Sequence, residues 1–360
     1  MKQTQSLRKR LEKSPLTASA PCRIDVGGTL DIAPFLYPLY RRAPCTFNIA
    51  LNLRTRVRLT AYRDGMVKIS SRGFQSQTFA AGRAPFDHPL GLMFAIVEHF
   101  GVSGVHIDID SASPPRSAMG GSSVAAAALV ALLMTVTAAV PPPVNTAFKR
   151  KVANLAHALE ESVAGVLCGR QDHLAALFGG VNCWHWHPEI RHGGFEKRAV
   201  ITKSALHKLD NHLLVAYCGI PHESKQINAA WIQQFIQGRN RDLWVDIVSS
   251  TKKFVDALKS SNYKGAARWV NNEAALRRRI TPDVFDEMGA QLSAAGQKTG
   301  CGVRFAGAGG GGCVWAIGES KDIDRLRILW EDLLKKCGDA CMLNAGVDPD
   351  GLLLCAGDPA

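Results

Sequence analysis

Residues 307–312 read Gly-Ala-Gly-Gly-Gly-Gly and run straight into the apolar stretch CVWAI. No other segment narrows the possible folds so far. Five glycines in six residues carry a backbone-entropy cost that a plain hairpin does not need, so the chain here passes close to a ligand or to another backbone. The hexapeptide contains G-x-G-x-x-G, the dinucleotide fingerprint, but that fingerprint needs a helix behind it and CVWAI reads as a strand. A dinucleotide-dependent oxidoreductase stays an alternative, decided by whether a helix follows Gly312.

A second glycine loop lies in PPRSAMGGSSVAAAA, residues 114–128, between the alternating strand GVHIDIDS and an alanine-rich run. A loop feeding a helix start leaves backbone N–H groups unpaired, and their partial positive charge seats phosphate. Ser117, Ala118, Met119, Gly120, Gly121, Ser122 and Ser123 form this candidate cradle. The competing reading is a capped helix start, with Ser122 or Ser123 as the N-cap. A Walker A loop is excluded, because its lysine is missing.

The 360 residues suffice for two domains, and 46% hydrophobic with 21% charged residues is ordinary for a globular protein. The most apolar stretch, Val124 to Val140, starts from the loop and ends at three prolines, so it reads as a buried helix and not a membrane span. No apolar segment backs the basic N-terminus, which excludes a secretory signal and leaves a cytoplasmic protein as the expectation. Residues 1–13 hold five basic residues and one acid of a chain whose net charge is +12, and read as a solvated basic arm. Elsewhere the cations are scattered apart from Arg277-Arg278-Arg279. They are not interleaved with aromatics as in a nucleic-acid groove, and they suit a small anionic substrate equally well. The ten cysteines form no C-x-x-C pair and read as reduced, mostly buried thiols. His185 and His187 share a strand face with His192 nearby, but no further ligand stands at a persuasive metal spacing.

Along the chain, residues 16–71 read as strands, PLGLMFAIVEHFGV as a helix, and residues 145–164 as an amphipathic helix. Residues 211–219 form an apolar strand that opens a second unit, helical from Glu223 to Ala295. It returns to strands around CVWAI, then to a helix over 322–336 and a last apolar stretch, DGLLLC. The expected division is a basic arm at 1–15, one domain at 16–205 and another at 206–360. The irregular mixture of strands and helices points to α+β layers.

Three motifs in order resemble those of the GHMP small-molecule kinases. The first is Ala20-Pro21-Cys22-Arg23-Ile24-Asp25-Val26-Gly27-Gly28-Thr29-Leu30-Asp31; the second is the loop from Pro114 to Ser122; the third is Gly307 to Gly312. A fourth stretch, LEESVAGVLCGRQDHLAALFGG at 159–180, resembles the segment of galactokinase and heptose-phosphate kinase that carries the catalytic aspartate. The first motif is also similar to that of fucokinase-like members. Ala118 and Met119 replace the usual Gly-Leu, Gly121 stands where a first serine is usual, and the E-H-T-D of galactokinase is missing.

The resemblance implies a two-domain fold, an N-terminal unit like ribosomal protein S5 domain 2 and a C-terminal ferredoxin-like unit, with the active site between them. It implies transfer of the γ-phosphate of ATP, with Mg²⁺, to a hydroxyl of a sugar or sugar phosphate, by a monomer or homodimer that binds neither nucleic acid nor membrane. By similarity, Asp172 is the general base with Arg23 paired to it, and Asp31 and Gly28 bind substrate. Ser122 and Glu160 hold the metal, and Gly307, Gly309 and Gly310 join the loop in binding ATP phosphates. Glu161 competes with Glu160, but at 100° per residue Glu160 lies about 80° from the apolar stripe of its helix and Glu161 about 180°. Asp172 as a helix cap, Asp31 as a turn residue and a non-catalytic sugar or nucleotide sensor remain the competing readings.

Overall fold

The alternating run at 45–61 forms one strand of 17 residues, long enough to serve two neighbours on a single edge. The structure, a computed structural model, describes residues 2–165, 167–187, 189, 194–221 and 224–356. In chain order the first part comprises α1 (Lys2–Lys13), β1 (Leu16–Val26), α2 (Ala33–Leu39), β2 (Cys45–Ala61), β3 (Met66–Ser71) and β4 (Phe74–Ala80). It continues through α3 (Gly91–His99), β5 (Val105–Ser111), α4 (Gly121–Thr137), α5 (Thr146–Ala164), α6 (Gln171–Phe178), β6 (Val181–His187) and β7 (Gly194–Ala199). The second part comprises α7 (Leu206–Leu209), β8 (Leu213–Tyr217), α8 (Ser224–Ile236), α9 (Arg241–Lys259), α10 (Tyr263–Ile280) and α11 (Glu287–Thr299). It ends with β9 (Gly302–Phe305), β10 (Cys313–Ile317), α12 (Ser320–Leu334), β11 (Cys341–Leu343) and β12 (Leu353–Ala356).

Eight strands make the first sheet, ordered β12-β1-β2-β5-β3-β4, with β6 on β2 and β7 beyond it. One edge of β2 pairs β1 along its length; the other pairs β6 through residues 45–49 and β5 through 55–61. Where those neighbours part, the β1–β2 register shifts between Pro21 and Cys22. Helices α4 and α6 lie on this sheet, and α4 packs closely because Ala125 to Ala128 bury almost completely. Asn145 caps α5 by accepting from the Phe148 N–H, and Gly165 ends the helix in the left-handed region.

The second sheet, β11-β8-β10-β9, is antiparallel throughout. That order, with helices after the first and third strands, is the ferredoxin-like arrangement. The glycine run joins β9 to β10, so a strand follows Gly312 and the dinucleotide fingerprint is excluded. Strand β12 leaves this unit and returns to the first sheet beside β1. The exchange also runs the other way: Leu30, Ile32 and Phe35 belong to the second core, where the Phe35 ring lies 4.1 Å from that of Trp244.

The basic arm keeps Lys9, Arg10 and Lys13 in solvent but is docked by its apolar face. It folds as α1, and Leu7 and Leu11, four residues apart on one face, bury against the first core. No disulfide joins the ten cysteines, six of which are buried. Among the described residues no helix is long and apolar enough to cross a membrane, and no cluster of three or more His, Cys, Asp or Glu could hold a metal; His192 lies outside the described residues.

Candidate active site

Against the first sheet, with the β9–β10 loop in its wall, lies a cavity of about 400 Å³ whose lining includes Arg23, Asp31, Ser117, Ala118, Gly120 to Ser123, Glu160, Asp172 and Gly307. These residues span nearly 300 positions of sequence, and four of the candidate motifs meet there. Gly28, Met119, Gly309 and Gly310 do not line it.

The end formed by residues 117–123 is built from backbone. Helix α4 begins at Gly121 behind Gly120, which has φ 78° and no side-chain cap. A Cβ at Gly120 would stand 2.9 Å from the Asp172 carboxylate, so glycine is required both by conformation and by space. Neither Ser122 nor Ser123 is the N-cap. Arg116 and Ala118 also have positive φ, 53° and 64°. Ala118 thus holds a left-handed conformation that costs about 1–2 kcal/mol without glycine, which gives the usual glycine at this place its physical reason. Met119 is fully buried, and its carbonyl accepts from the Arg23 N–H.

The third loop approaches another backbone. Cys313 N–H donates to the Ser117 carbonyl, and Cβ atoms at Gly307 and Gly312 would fall 2.8 and 2.7 Å from the carbonyls of Ala118 and Ser117. Gly309 packs on Val284, and the Gly310 N–H donates to the Val284 carbonyl, which turns both away from the cavity. The run is therefore a spacer that presses the phosphate loop into place, with Gly307 and Ala308 reaching the cavity wall.

Glu160, on α5, accepts from the Ser123 hydroxyl at 2.7 Å and lies 3.0 Å from Nε2 of the buried His173. Burial alone would raise its pKa, and the His173 and Ser123 contacts reverse that to a net lowering, so it is held as a carboxylate. Ser122 is exposed at the cavity mouth. One carboxylate beside two hydroxyls and a phosphate seat is a donor set that suits Mg²⁺, which keeps waters and takes its remaining ligands from substrate phosphates.

Directly beside the 117–123 loop Arg23 forks onto Asp172, with Nε and Nη2 donating at 2.7 and 2.9 Å, while Nη1 donates to the Ala118 carbonyl. Asp172 lies in the first turn of α6 but caps nothing; its carboxylate is 18% exposed, toward the cavity. The cap of α6 is Asp31, whose Oδ2 accepts from the N–H groups of Arg170 and Gln171. Asp31 Oδ1 is buried with no partner from another residue, and burial raises the pKa of the group. Gly28 instead gives its carbonyl to Arg277.

The sequence reading missed what lies behind Arg23. Asp25, two residues on, receives the Gly307 N–H at 2.8 Å and faces Arg304 at 3.3 Å. Arg304 pairs with Glu273 at 2.7 Å, and Glu273 pairs with Arg277 at 3.0 Å. Burial would raise the Glu273 value, and Arg304 and Arg277 instead hold it at about 2. Three acids and three arginines thus alternate from Asp172 to Arg277, balanced in charge as burial requires. The signal was present: Asp25 and Arg304 interrupt apolar strands, and Glu273 and Arg277 stand on the buried face of α10 beside Val270 and Ala274. Ser111 and Ser113 were also missed; they join Thr55 in a chain of hydroxyls 2.9 Å apart at the far end of the cavity.

Residues 88–180 match the GHMP kinases N terminal domain and residues 254–328 the GHMP kinases C terminal domain. No curated protein sequence matches the chain. Its fold is similar to that of a D-glycero-D-manno-heptose 1-phosphate kinase from Bacteriodes thetaiotaomicron, with a TM-score of 0.70 at 15% identity over 94% of this chain and 98% of that one. Galactokinase from Lactococcus lactis, solved with galactose, gives 0.69 at 16% over 97% and 98%. Phosphomevalonate kinase from Streptococcus pneumoniae, solved with phosphomevalonate and AMPPNP, gives 0.70 at 14% over 92% and 99%.

Proposed function

Because the chain belongs to the GHMP kinases, a family of phosphotransferases, we propose that it transfers the γ-phosphate of ATP to a hydroxyl of a sugar or sugar phosphate. The observation that carries this reading is the forked Arg23–Asp172 pair, which lines one cavity together with the N-terminus of α4 and Asp31. The heptose-phosphate kinase and galactokinase folds favour a sugar acceptor, as does the acidic Asp31 in the cavity wall.

In this reading the N–H groups at Gly120 to Ser123 seat the phosphates, with ATP entering past the Ser111–Ser113 end. Asp31 orients the acceptor. Asp172 takes the hydroxyl proton as the acceptor oxygen bonds to the γ-phosphorus and the bond to the departing ADP oxygen breaks. Arg23 holds the Asp172 carboxylate in place and adds positive charge beside the transferring group. Glu160, with Ser122 or Ser123, would hold Mg²⁺, which when bound supplies charge neutralisation between the phosphates.

The test is ADP release from Mg·ATP over galactose, mannose, fucose, heptose and their phosphates, with wild type and Asp172→Asn. Sugar-dependent ADP that falls about 10²–10⁴-fold in the variant is the expected result. ATP bound without sugar-dependent ADP would identify a sensor, and undiminished turnover in Asp172→Asn would remove the base from the mechanism.

A further inference from the structure

The Arg277-Arg278-Arg279 run has no place in the reaction just described, and the structure divides it. Arg278 and Arg279 are exposed, whereas Arg277 is fully buried. Only one of its three partners is the Glu273 carboxylate, at 3.0 Å through Nε. The other two lie on the turn before Asp31: Nη2 donates to the Gly28 carbonyl at 2.7 Å and Nη1 to the Thr29 hydroxyl at 3.2 Å. Trp231 and Trp244 each lie 4.7 Å from the guanidinium carbon, which fixes the plane of the fork.

The turn so held is strained. Thr29 has φ 76°, a left-handed conformation that a β-branched residue rarely adopts, and it lines the cavity. Such a residue persists only where its surroundings over-determine it. The Ile32 N–H closes the turn onto the Thr29 carbonyl at 3.0 Å, and Asp31, which lines the cavity, sits inside that turn. A point-charge ammonium could not serve three partners in one plane.

We infer that Arg277 is a positioning residue for the acceptor: from the second half of the chain it clamps the Gly28–Thr29 turn and so fixes the direction of Asp31. The inference rests on the kinase reading for the identity of what Asp31 meets. It makes the acceptor end dependent on α10, while the phosphate end is assembled without Arg277.

Arg277→Lys keeps a cation beside Glu273 but loses the fork. With the sugar or sugar phosphate of the panel above that gives the fastest ADP release, the KM for that acceptor rises between about ten- and a hundredfold. The KM for ATP stays within about twofold, since uniform loss of binding falls on one substrate only. Thr29→Gly, which holds φ 76° without strain, keeps the fold at least as stable and also raises the acceptor KM. Combined with Arg277→Lys its effect is less than multiplicative, because both act through one turn. Hydrogen exchange provides a readout that needs no acceptor: in Arg277→Lys, amides 27–32 exchange faster and amides 117–123 do not.

An unchanged acceptor KM with unchanged exchange at 27–32 would overturn the inference, as would parallel rises in both KM values with faster exchange throughout. Failure of wild type to release ADP with any member of the panel would instead overturn the kinase reading, and the exchange experiment would still decide the role of Arg277.

Discussion

The two ends of the cavity are made in opposite ways. The phosphate end is one contiguous loop, residues 117–123, whose working groups are backbone N–H donors and two serine hydroxyls. The acceptor end collects Arg23 and Asp25 from β1, Asp31 from the following turn, Asp172 from α6, Glu273 and Arg277 from α10 and Arg304 from β9. Backbone geometry survives most side-chain changes, whereas a buried chain of alternating charges fails when one member is removed. The difference is therefore a prediction about which end tolerates substitution.

The largest effect tests the charged end. Arg23→Met leaves Arg304 alone to offset the buried Asp25, loosens Asp172 and leaves the Ala118 carbonyl without its donor. Removing one partner of a buried pair costs about 3–5 kcal/mol, so urea unfolding should show a loss of that size together with loss of turnover. Glu160→Gln, at the phosphate end, keeps an acceptor for Ser123 and should lower stability by no more than about 1 kcal/mol. Equal losses in the two variants would break the comparison.

That contrast also explains what the sequence disclosed. The loop at a helix start, the strand after Gly312, the helix over 145–164 and the placement of Glu160 at the cavity follow from local rules of turn, period and helix face. The role of the glycine run was legible only as close approach; that the approached backbone is Ser117–Ala118 needed the fold. Asp31 and Asp172 had local readings that pulled the wrong way, since Asp31 turned out to cap α6 from 139 residues away and Asp172 caps nothing. The charge chain was illegible because each member's partner lies on a different element. A charged residue on an apolar face announces that a partner exists, not which one.

An acid titration sharpens the same point without mutation. Glu273 has an unperturbed value of 4.5 and is held at about 2 in the fold. Its folded value lies below its unfolded one, so its ionised form adds stability that is complete above pH 4.5 and disappears as pH falls towards 2. The contribution is on the order of 3 kcal/mol, and urea midpoints between pH 6 and pH 3 should fall accordingly. Glu273→Gln, less stable at neutral pH, should give a flatter curve; an identical slope would place the acid sensitivity elsewhere.

Backbone packing predicts a smaller loss at the third loop. Gly309 has φ 78°, and a Cβ there would lie 2.3 Å from the Val284 carbonyl oxygen. Gly309→Ala combines strain with overpacking and should cost about 1–3 kcal/mol. Because the loop supports residues 117–118, the KM for ATP should rise more than that for the acceptor, the reverse of the Arg277→Lys pattern.

The smallest effect is the most informative about the phosphate end. Gly121 stands at the first helical position of α4, and a Cβ there would meet nothing within 4 Å. Gly121→Ser therefore restores the hydroxyl usual at this place without strain, and stability should change by no more than about 0.5 kcal/mol. If backbone N–H groups already carry the phosphate, the added hydroxyl supplies one exposed hydrogen bond, worth about 0.5–1 kcal/mol. The KM for ATP should then fall by a few-fold at most. A fall of more than about tenfold, or 1.4 kcal/mol, would mean that side chains and not backbone govern this end, and the contrast between the two ends of the cavity would fail.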